Sequence, residues 1–96
     1  MNLAASLPPS SQHRLQLLAA RLRTARKQRG WTQERLARAA SIGLSTVRAI
    51  EKGEAATAIG NYLAVLWALD LDSSIDGLAS LQRPTSLAEP VLDNNF

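Results

Sequence analysis

Residues 33–51, QERLARAASIGLSTVRAIE, constrain the fold of this chain more than any other segment. Their apolar residues recur at helical spacing in two groups, first at Leu36, Ala37 and Ala40 and then at Val47 and Ile50. No proline interrupts the segment. Two helices that cross steeply after a short turn leave no room for a long side chain at their contact, which suits Ala37. The segment therefore predicts two short amphipathic helices joined by a tight turn.

The composition limits what can surround these two helices. With 96 residues the chain has room for one small core. Aromatic residues make up only 4% of it, so that core must consist mainly of Leu, Ile, Val and Ala. The absence of cysteine excludes disulfides and thiolate metal sites. No apolar run approaches the ~18 residues of a membrane span, and no signal-peptide pattern opens the chain. We expect an all-helical, cytoplasmic protein without membrane contact.

Positive charge is concentrated in the first half of the chain. Residues 1–53 hold ten Lys and Arg against two Glu, a net charge of +8. Residues 54–96 hold one Arg against six acidic residues, a net charge of −5. A basic helical half favours a polyanionic partner such as nucleic acid. The alternative is that these charges only solvate helix surfaces, and composition alone leaves both interpretations open.

Cap and turn residues predict the boundaries of the first three helices. They are Ser10 or Ser11 before the first helix, Gly30 after its end near Arg29, Thr32 before the second helix, and Gly43 and Gly53 on either side of the third. The first helix has an apolar stripe at Leu15, Leu18, Leu22 and Ala25. Three amphipathic helices are thus expected before residue 54.

A fourth helix is predicted from Ala58 to about Leu69, with Thr57 as its N-cap. Its expected inward positions are Ile59, Leu63, Leu66 and Leu69. Further apolar residues exceed what one buried face needs. This excess predicts a second contact, either with a short fifth helix over residues 74–80 or with another subunit. The candidate dimer surface consists of Tyr62, Val65 and Trp67, together with Ile75 of the fifth helix.

These elements predict three parts of the chain. Residues 1–10 form a flexible N-terminal arm, residues 11–81 form the helical domain, and residues 82–96 form a C-terminal tail. Two prolines in the tail bar a helix, yet the tail is more apolar than an ordinary disordered segment. It is expected to be disordered, to pair as an edge strand, or to dock in a partner's groove through Leu87, Val91, Leu92 and Phe96.

The segment QERLARAASIGLSTVRAIEKG resembles the helix-turn-helix of the Cro/C1-type (Xre-like) regulators. The matching positions are Thr32, Gln33, Leu36, Ala37, Ile42, Val47, Ile50, Glu51 and Gly53. The resemblance covers about residues 15–80. It implies an all-α, five-helix, lambda-repressor-like DNA-binding domain, with the helix-turn-helix at helices 2 and 3. Two positions depart from the family pattern: Ser41 replaces the turn glycine, and Gly43 replaces the Ser or Thr that caps the third helix.

The resemblance also implies roles for individual residues. Base reading falls to the outward positions at the start of the third helix, Leu44, Ser45, Thr46 and Arg48. Contacts to the DNA backbone fall to Gln33, with Thr32, Arg38 and Lys52 beside it. Arg26 is expected to pair with Glu51 inside the domain, and so to be structural.

Nothing in the sequence favours an enzyme, a cofactor or a metal site. His13 is the only histidine, so it would have to serve every acid–base role. Asp72, Ser74, Asp76 and Gly77 match the start of a calcium loop, but Arg83 occupies the position that requires a bidentate Glu. An acidic cap for the fifth helix explains these residues better.

The predicted function is that of a homodimeric repressor on a palindromic operator in double-stranded DNA. Small Xre-like proteins of this kind are also similar to HipB-type antitoxins, which bind a kinase-like toxin of the HipA type and repress their shared type II toxin–antitoxin operon. The sequence leaves this hypothesis open against a stand-alone or phage-type repressor. A third alternative is a protein-interaction module that has lost DNA binding.

Overall fold

A computed structural model describes residues 7–80, and all regular structure in that range is helical. The elements are α1 (Pro9–Gln28), α2 (Gln33–Ala40), α3 (Leu44–Lys52), α4 (Ile59–Ala68) and a 3-10 helix (Asp72–Gly77). The described part of the chain contains no strand. The predicted all-α, five-helix fold is confirmed. The predictions for the C-terminal tail and for arm residues 1–6 lie outside the described residues.

The first helix begins slightly earlier than the sequence predicted. Pro9 is its first residue and Pro8 precedes it, so neither Ser10 nor Ser11 caps the helix. Proline suits this position because its fixed φ is already helical and its missing N–H would have no partner inside the helix. At the other end, Gly30 adopts a left-handed φ of 68°, which turns the chain toward α2.

Local side chains and backbone conformations set the ends of α2 and α3. The Thr32 hydroxyl oxygen accepts a hydrogen bond of 3.1 Å from the Arg35 N–H and so caps α2. Ser41 ends α2 in the left-handed region, with φ 57° and ψ 40°. Gly43 precedes α3 without a side-chain cap, and Gly53 ends α3 at a φ of 73°. The turn between the two helices is therefore only three residues long, as the sequence predicted.

The core lies where α2 meets α3 and α4. Its largest fully buried side chains are Leu22, Leu36, Val47, Ile50, Val65 and Leu69. Ala37 is also buried, and its small side chain lets α2 pack closely against its neighbours. The long α1 packs against α3 and contributes Leu22 to the same core. This arrangement leaves the outer face of α3 at the protein surface.

The inward face of α4 differs from the prediction. Tyr62 and Val65, expected in a dimer surface, are buried in the core, whereas Ile59 is 63% exposed and Leu63 is also exposed. The sequence of α4 is apolar on almost every side, so two helical stripes fit it equally well. The buried one is 62, 65, 66 and 69, in which the Tyr62 hydroxyl donates to the Glu54 carbonyl at 3.5 Å.

The fifth element is also shorter and tighter than expected. It is a 3-10 helix that begins at Asp72, and it ends at Gly77 instead of Ser80. None of its residues is fully buried. Ile75 is half-buried, and Leu78 just beyond the helix is exposed. In residues 7–80 no helix is long and apolar enough to span a membrane.

Candidate nucleic-acid interface

The outward face of α3 carries two fully accessible polar side chains. Ser45 and Arg48 are exposed, three residues apart, and Thr46 beside them is half-buried. Leu44, predicted to read bases, is half-buried and packs against the core. Its aliphatic side chain gains more from that burial than from exposure. Of the four residues predicted to read bases, Ser45 and Arg48 are thus the most exposed, and the roles of all four stay predictions.

A bidentate ion pair joins α1 to the C-terminal end of α3. Arg26 Nε donates to Glu51 Oε2 at 2.7 Å, and Arg26 Nη2 donates to Glu51 Oε1 at 3.1 Å. Arg26 Nη1 also donates to the Trp31 carbonyl at 2.8 Å, so the guanidinium additionally fixes the turn before α2. Both charged side chains are buried. A charge pair buried with this geometry holds the reading helix at a fixed place in the domain.

Gln33 belongs to the same network. Its side-chain amide donates from Nε2 to Glu51 Oε1 at 3.1 Å, so the first residue of α2 is tied to the end of α3. An amide NH₂ has two donors and its carbonyl can accept, so Gln33 keeps groups for a DNA phosphate. The Glu51 carboxylate thus positions both α1 and the residue expected to contact the DNA backbone.

Two further side chains of α1 hold the C-terminal carbonyls of α3. Gln16 Nε2 donates to the Lys52 carbonyl at 3.0 Å, and Arg23 Nη1 donates to the Glu51 carbonyl. The last carbonyls of a helix have no partner within it, so these contacts satisfy groups that otherwise need water. Neither contact was predicted from the sequence. No local signal identifies them, because the pairing depends on where α1 runs relative to α3.

A shallow depression of about 580 Å³ lies between α1, the start of α2 and α3. Its lining residues are Gln16, Arg23, Gln33, Arg48, Glu51 and Lys52. Arg26 already neutralises the one carboxylate among them. Arg23, Arg48 and Lys52 therefore leave the depression with net positive charge, and it suits an anionic group such as a phosphate.

The other predicted backbone contacts are more dispersed. Lys52 lines the depression, whereas Arg38 is exposed at the last turn of α2 and does not line it. Thr32 is exposed, and its hydroxyl oxygen is engaged in capping α2. The structure thus brings together Gln33, Lys52 and Arg48 and leaves Arg38 apart from them.

Part of the basic charge in the first half of the chain is structural. Arg29 Nη2 donates to the Leu69 carbonyl at 2.7 Å and so binds the C-terminal end of α4. The Arg29 and Arg35 guanidinium carbons lie 5.4 and 5.2 Å from the centroid of the half-buried Trp31 ring, at cation–π distance. With Arg23 and Arg26, these contacts commit several cations to the fold. These guanidinium groups keep their positive charge, except where Glu51 balances that of Arg26, but fewer of their N–H donors are left for a nucleic acid.

Comparison with known proteins identifies a family for this chain. A family model described as helix-turn-helix, HTH_3, matches residues 22–74. These residues run from the middle of α1 to the 3-10 helix and lie within the span expected from the sequence. No curated protein and no solved structure matches the chain.

In the described residues, no group of three or more His, Asp and Glu side chains is arranged to hold a metal ion.

Proposed function

This chain belongs to the Cro/C1-type helix-turn-helix family of DNA-binding transcriptional regulators, and we propose that it is a repressor that binds a palindromic operator as a homodimer. The observation that carries the proposal is the positive depression beside the outward face of α3. Its positive charge suits a phosphate, and its position beside the outward face of α3 supports a sequence-specific DNA contact, which combines phosphate and base contacts. Such a protein would act in the cytoplasm, where the DNA is.

In the proposed complex α3 enters the major groove and α2 crosses the backbone. Arg48 is the one long side chain among the accessible reading residues, and its guanidinium can donate to guanine O6 and N7 together. Ser45 and Thr46 supply shorter hydrogen bonds. Gln33 and Lys52 bind a phosphate at the depression, and Thr32 and Arg38 contact the backbone beside it. This small reading surface fits a protein that gains much of its specificity from two half-sites.

A single module of this size buries only about 600–1,000 Å² of its surface on DNA, so a two-fold dimer is needed for useful affinity. Leu63 and Trp67 are exposed and lie one turn apart on α4. We propose that this pair, the α4 stripe, forms the centre of the dimer contact. Trp67 was already part of the dimer surface predicted from the sequence. Leu63 takes the place of the buried Tyr62 and Val65, and Ile75 lies outside the centre of the proposed contact.

The test compares two Arg→Ala variants with the same loss of charge. An operator is first selected from random duplexes with the native protein, and affinities are then measured by fluorescence anisotropy at several salt concentrations. Arg48→Ala should cost about 1–3 kcal/mol, roughly 5- to 150-fold, and relax the preference at one base pair in each half-site. Arg21→Ala, exposed on α1 outside the depression, should stay within about twofold. Equal losses in both variants would contradict the proposal.

A second proposal concerns a protein partner. The acidic half of the chain and the apolar tail residues Leu87, Val91, Leu92 and Phe96 support an antitoxin of the HipB type, whose partner is a kinase-like toxin of the HipA type. The alternative is a stand-alone or phage-type repressor. Deleting residues 83–96 should spare operator binding and weaken the complex with a toxin encoded by the adjacent reading frame. A deletion that abolishes operator binding and spares that complex would contradict this proposal.

The remaining alternative is an interaction module that has lost DNA binding. The short side chains of Ser45 and Thr46 and the exposed carboxylate of Glu54 just past α3 favour it. The net positive depression favours DNA binding more strongly. Absence of any selected duplex in the random-library experiment would support the alternative.

A further inference from the structure

An apolar groove lies on a part of the molecule that DNA reading does not use. It has a volume of about 330 Å³ and is formed by the first half of α1, the start of α4 and the 3-10 helix. Its walls include Leu15, Leu18, Ile59, Leu66, Ile75 and Leu78. No residue of α2 or α3 contributes to these walls. The groove is therefore independent of the DNA interface.

The rim of this groove exposes large aliphatic side chains. Ile59 and Leu78 in its walls are 63% and 62% exposed, and Ile75 is only half-buried. A concave surface of this kind, with exposed aliphatic edges, marks a binding site more often than a free surface. An apolar segment laid along the groove would cover all three side chains at once.

We propose that residues 81–96 of the same chain occupy this groove. The chain passes through the groove wall at Leu78, and the described residues end two positions later at Ser80. The following segment carries Leu87, Val91 and Leu92, aliphatic side chains that match the groove chemically. Proline interrupts a helix, so the two prolines Pro84 and Pro90 make an extended peptide the form of the occupant that we propose.

Tethering favours the chain's own segment over the same segment of a second copy. The nine residues from Leu78 to Leu87 can span at most about 30 Å, several times the width of a groove of this volume. A short flexible tether gives an effective concentration in the millimolar range, which free chains do not reach in solution. The segment of the same chain therefore fills the groove first.

Charge on the two edges of the groove agrees with the direction of this segment. Asp72 and Asp76 are exposed on the 3-10 helix, close in sequence to Arg83 at the start of the segment. Arg14 is exposed on α1 next to the wall residue Leu15, and in the proposed arrangement it supplies a positive charge for Glu89 or Asp93. Both pairings join opposite charges when the segment crosses from the 3-10 helix to α1.

The test uses engineered cysteines, for which the chain offers an empty background because it contains none. Thr57→Cys at the groove wall is combined in turn with Leu87→Cys, Val91→Cys and Leu92→Cys in the full-length protein. Oxidation should form an intramolecular disulfide in at least one pair, seen as a fast-migrating monomer on a non-reducing gel. The matched control combines the same tail cysteines with Thr24→Cys, which is exposed on α1 outside the groove.

We expect the best groove pair to form its disulfide at least tenfold faster than any control pair, because a disulfide needs Cα atoms within about 7 Å. Adding Ile75→Asp to the groove wall should remove that advantage. A disulfide between two chains would overturn the proposal in favour of a second copy. Equal rates for groove and control pairs would overturn it in favour of a segment that does not dock.

Hydrogen exchange gives an independent measurement. The Leu78 N–H donates to the Ile75 carbonyl at 2.9 Å beside the groove. Deleting residues 81–96 should make this amide exchange at least several-fold faster, while core amides such as that of Leu69 in α4's last turn stay unchanged. Unchanged exchange at Leu78 would overturn the proposal. Operator binding is unaffected in either case, so this outcome is separate from the proposed function.

Discussion

At the scale of single residues, the buried Arg26–Glu51 pair joins α1 to the end of α3, the helix that we propose reads DNA. Glu51 accepts hydrogen bonds from both Arg26 and Gln33, and all three residues come from different helices. If Arg26 is removed, the Glu51 carboxylate stays buried without a countercharge, which is far more costly than losing an exposed pair. The pair therefore acts on DNA binding through the fold.

Arg26→Ala should destabilise the domain by about 3–5 kcal/mol. Urea unfolding followed by circular dichroism measures this loss, with Arg21→Ala as a control in which an exposed arginine of the same helix is removed. The fraction of Arg26→Ala that remains folded should bind the operator with nearly native affinity. A fully folded Arg26→Ala protein that has lost affinity would show instead that Arg26 contacts DNA.

Ser41 adopts a backbone conformation that is unfavourable for a residue with a side chain. It lies in the left-handed region with φ 57°, where a residue with a Cβ is strained by roughly 1–2 kcal/mol. Ser41→Gly should relieve this strain. Glycine loses more chain entropy on folding, but that cost is smaller than the strain, so the domain should gain about 1 kcal/mol of stability. Thermal unfolding measures the gain.

Gly53→Ala should have the opposite effect and destabilise the domain. Gly53 has a φ of 73°, and the Gln16 side chain occupies the space that a Cβ would need.

Tyr62 gives the domain a pH dependence at high pH. Burial, with a smaller effect from the Glu54 carboxylate, raises the pKa of the Tyr62 phenol above its ordinary value of 10.0. The folded state thus favours the neutral phenol, and the stability gained is complete below about pH 10 and is lost as the pH rises through the raised pKa. In urea unfolding from pH 8 to 11.5, native protein should lose stability more steeply than Tyr62→Phe. Parallel curves would contradict this assignment.

At the scale of elements, α1 serves as a clamp on α3. Gln16 and Arg23 bind the last two carbonyls of α3 from one side, while Arg26 binds the Glu51 side chain. The first half of α1 thus extends the contact beyond the part that the family model covers, which begins at residue 22. Gln16 therefore adds a contact to the end of α3 from outside the residues that the family model matches.

Gln16→Ala should loosen the C-terminal end of α3 while costing only about 0.5–1.5 kcal/mol of stability, as expected for one partly exposed hydrogen bond. Hydrogen exchange in the free protein should be faster at the Gly53 and Glu54 amides, which close the end of α3. Operator affinity should fall several-fold. Gln28→Ala, exposed at the other end of α1, is the matched control and should change neither quantity. Lower affinity with unchanged exchange would show that Gln16 acts as a DNA contact only.

The sequence predicted the boundaries of some helices better than it predicted which of their faces are buried. The limits of α2 and α3 depend on local chemistry at Thr32 and Gly53, so the sequence was sufficient to place them. The face of α4 was not predictable, because an almost uniformly apolar helix fits the core in more than one rotation. The Gln16 contact was missed because it joins residues 36 apart, and only the angle between α1 and α3 decides it. Leu44 was placed outward because spacing alone does not reveal that α3 turns it partly toward the core.

At the scale of the whole molecule, three surfaces are formed by different residues. The proposed DNA interface is formed by residues of α1, α2 and α3, the apolar groove by residues of α1, α4 and the 3-10 helix, and the α4 stripe by Leu63 and Trp67. Because none of these surfaces has to be dismantled for another to be used, operator binding, dimer formation and docking of the tail can be tested separately. The folded domain is thus built around one core with independent outer faces.

The proposed dimer contact on α4 can be tested by a single substitution at Trp67. Trp67→Glu should convert the dimer to a monomer, because two copies of the stripe would place two like charges in one apolar contact. Trp67 is 65% exposed, so the substitution should leave the thermal stability of the domain nearly unchanged. Light scattering after size-exclusion chromatography measures the mass, and operator affinity should fall at least tenfold because only one half-site is then held at a time. Leu17→Glu, at a similarly apolar and 41% exposed position on α1, is the matched control and should remain dimeric. A dimer that survives Trp67→Glu and dissociates in Leu17→Glu would move the interface from α4 to the outer face of α1.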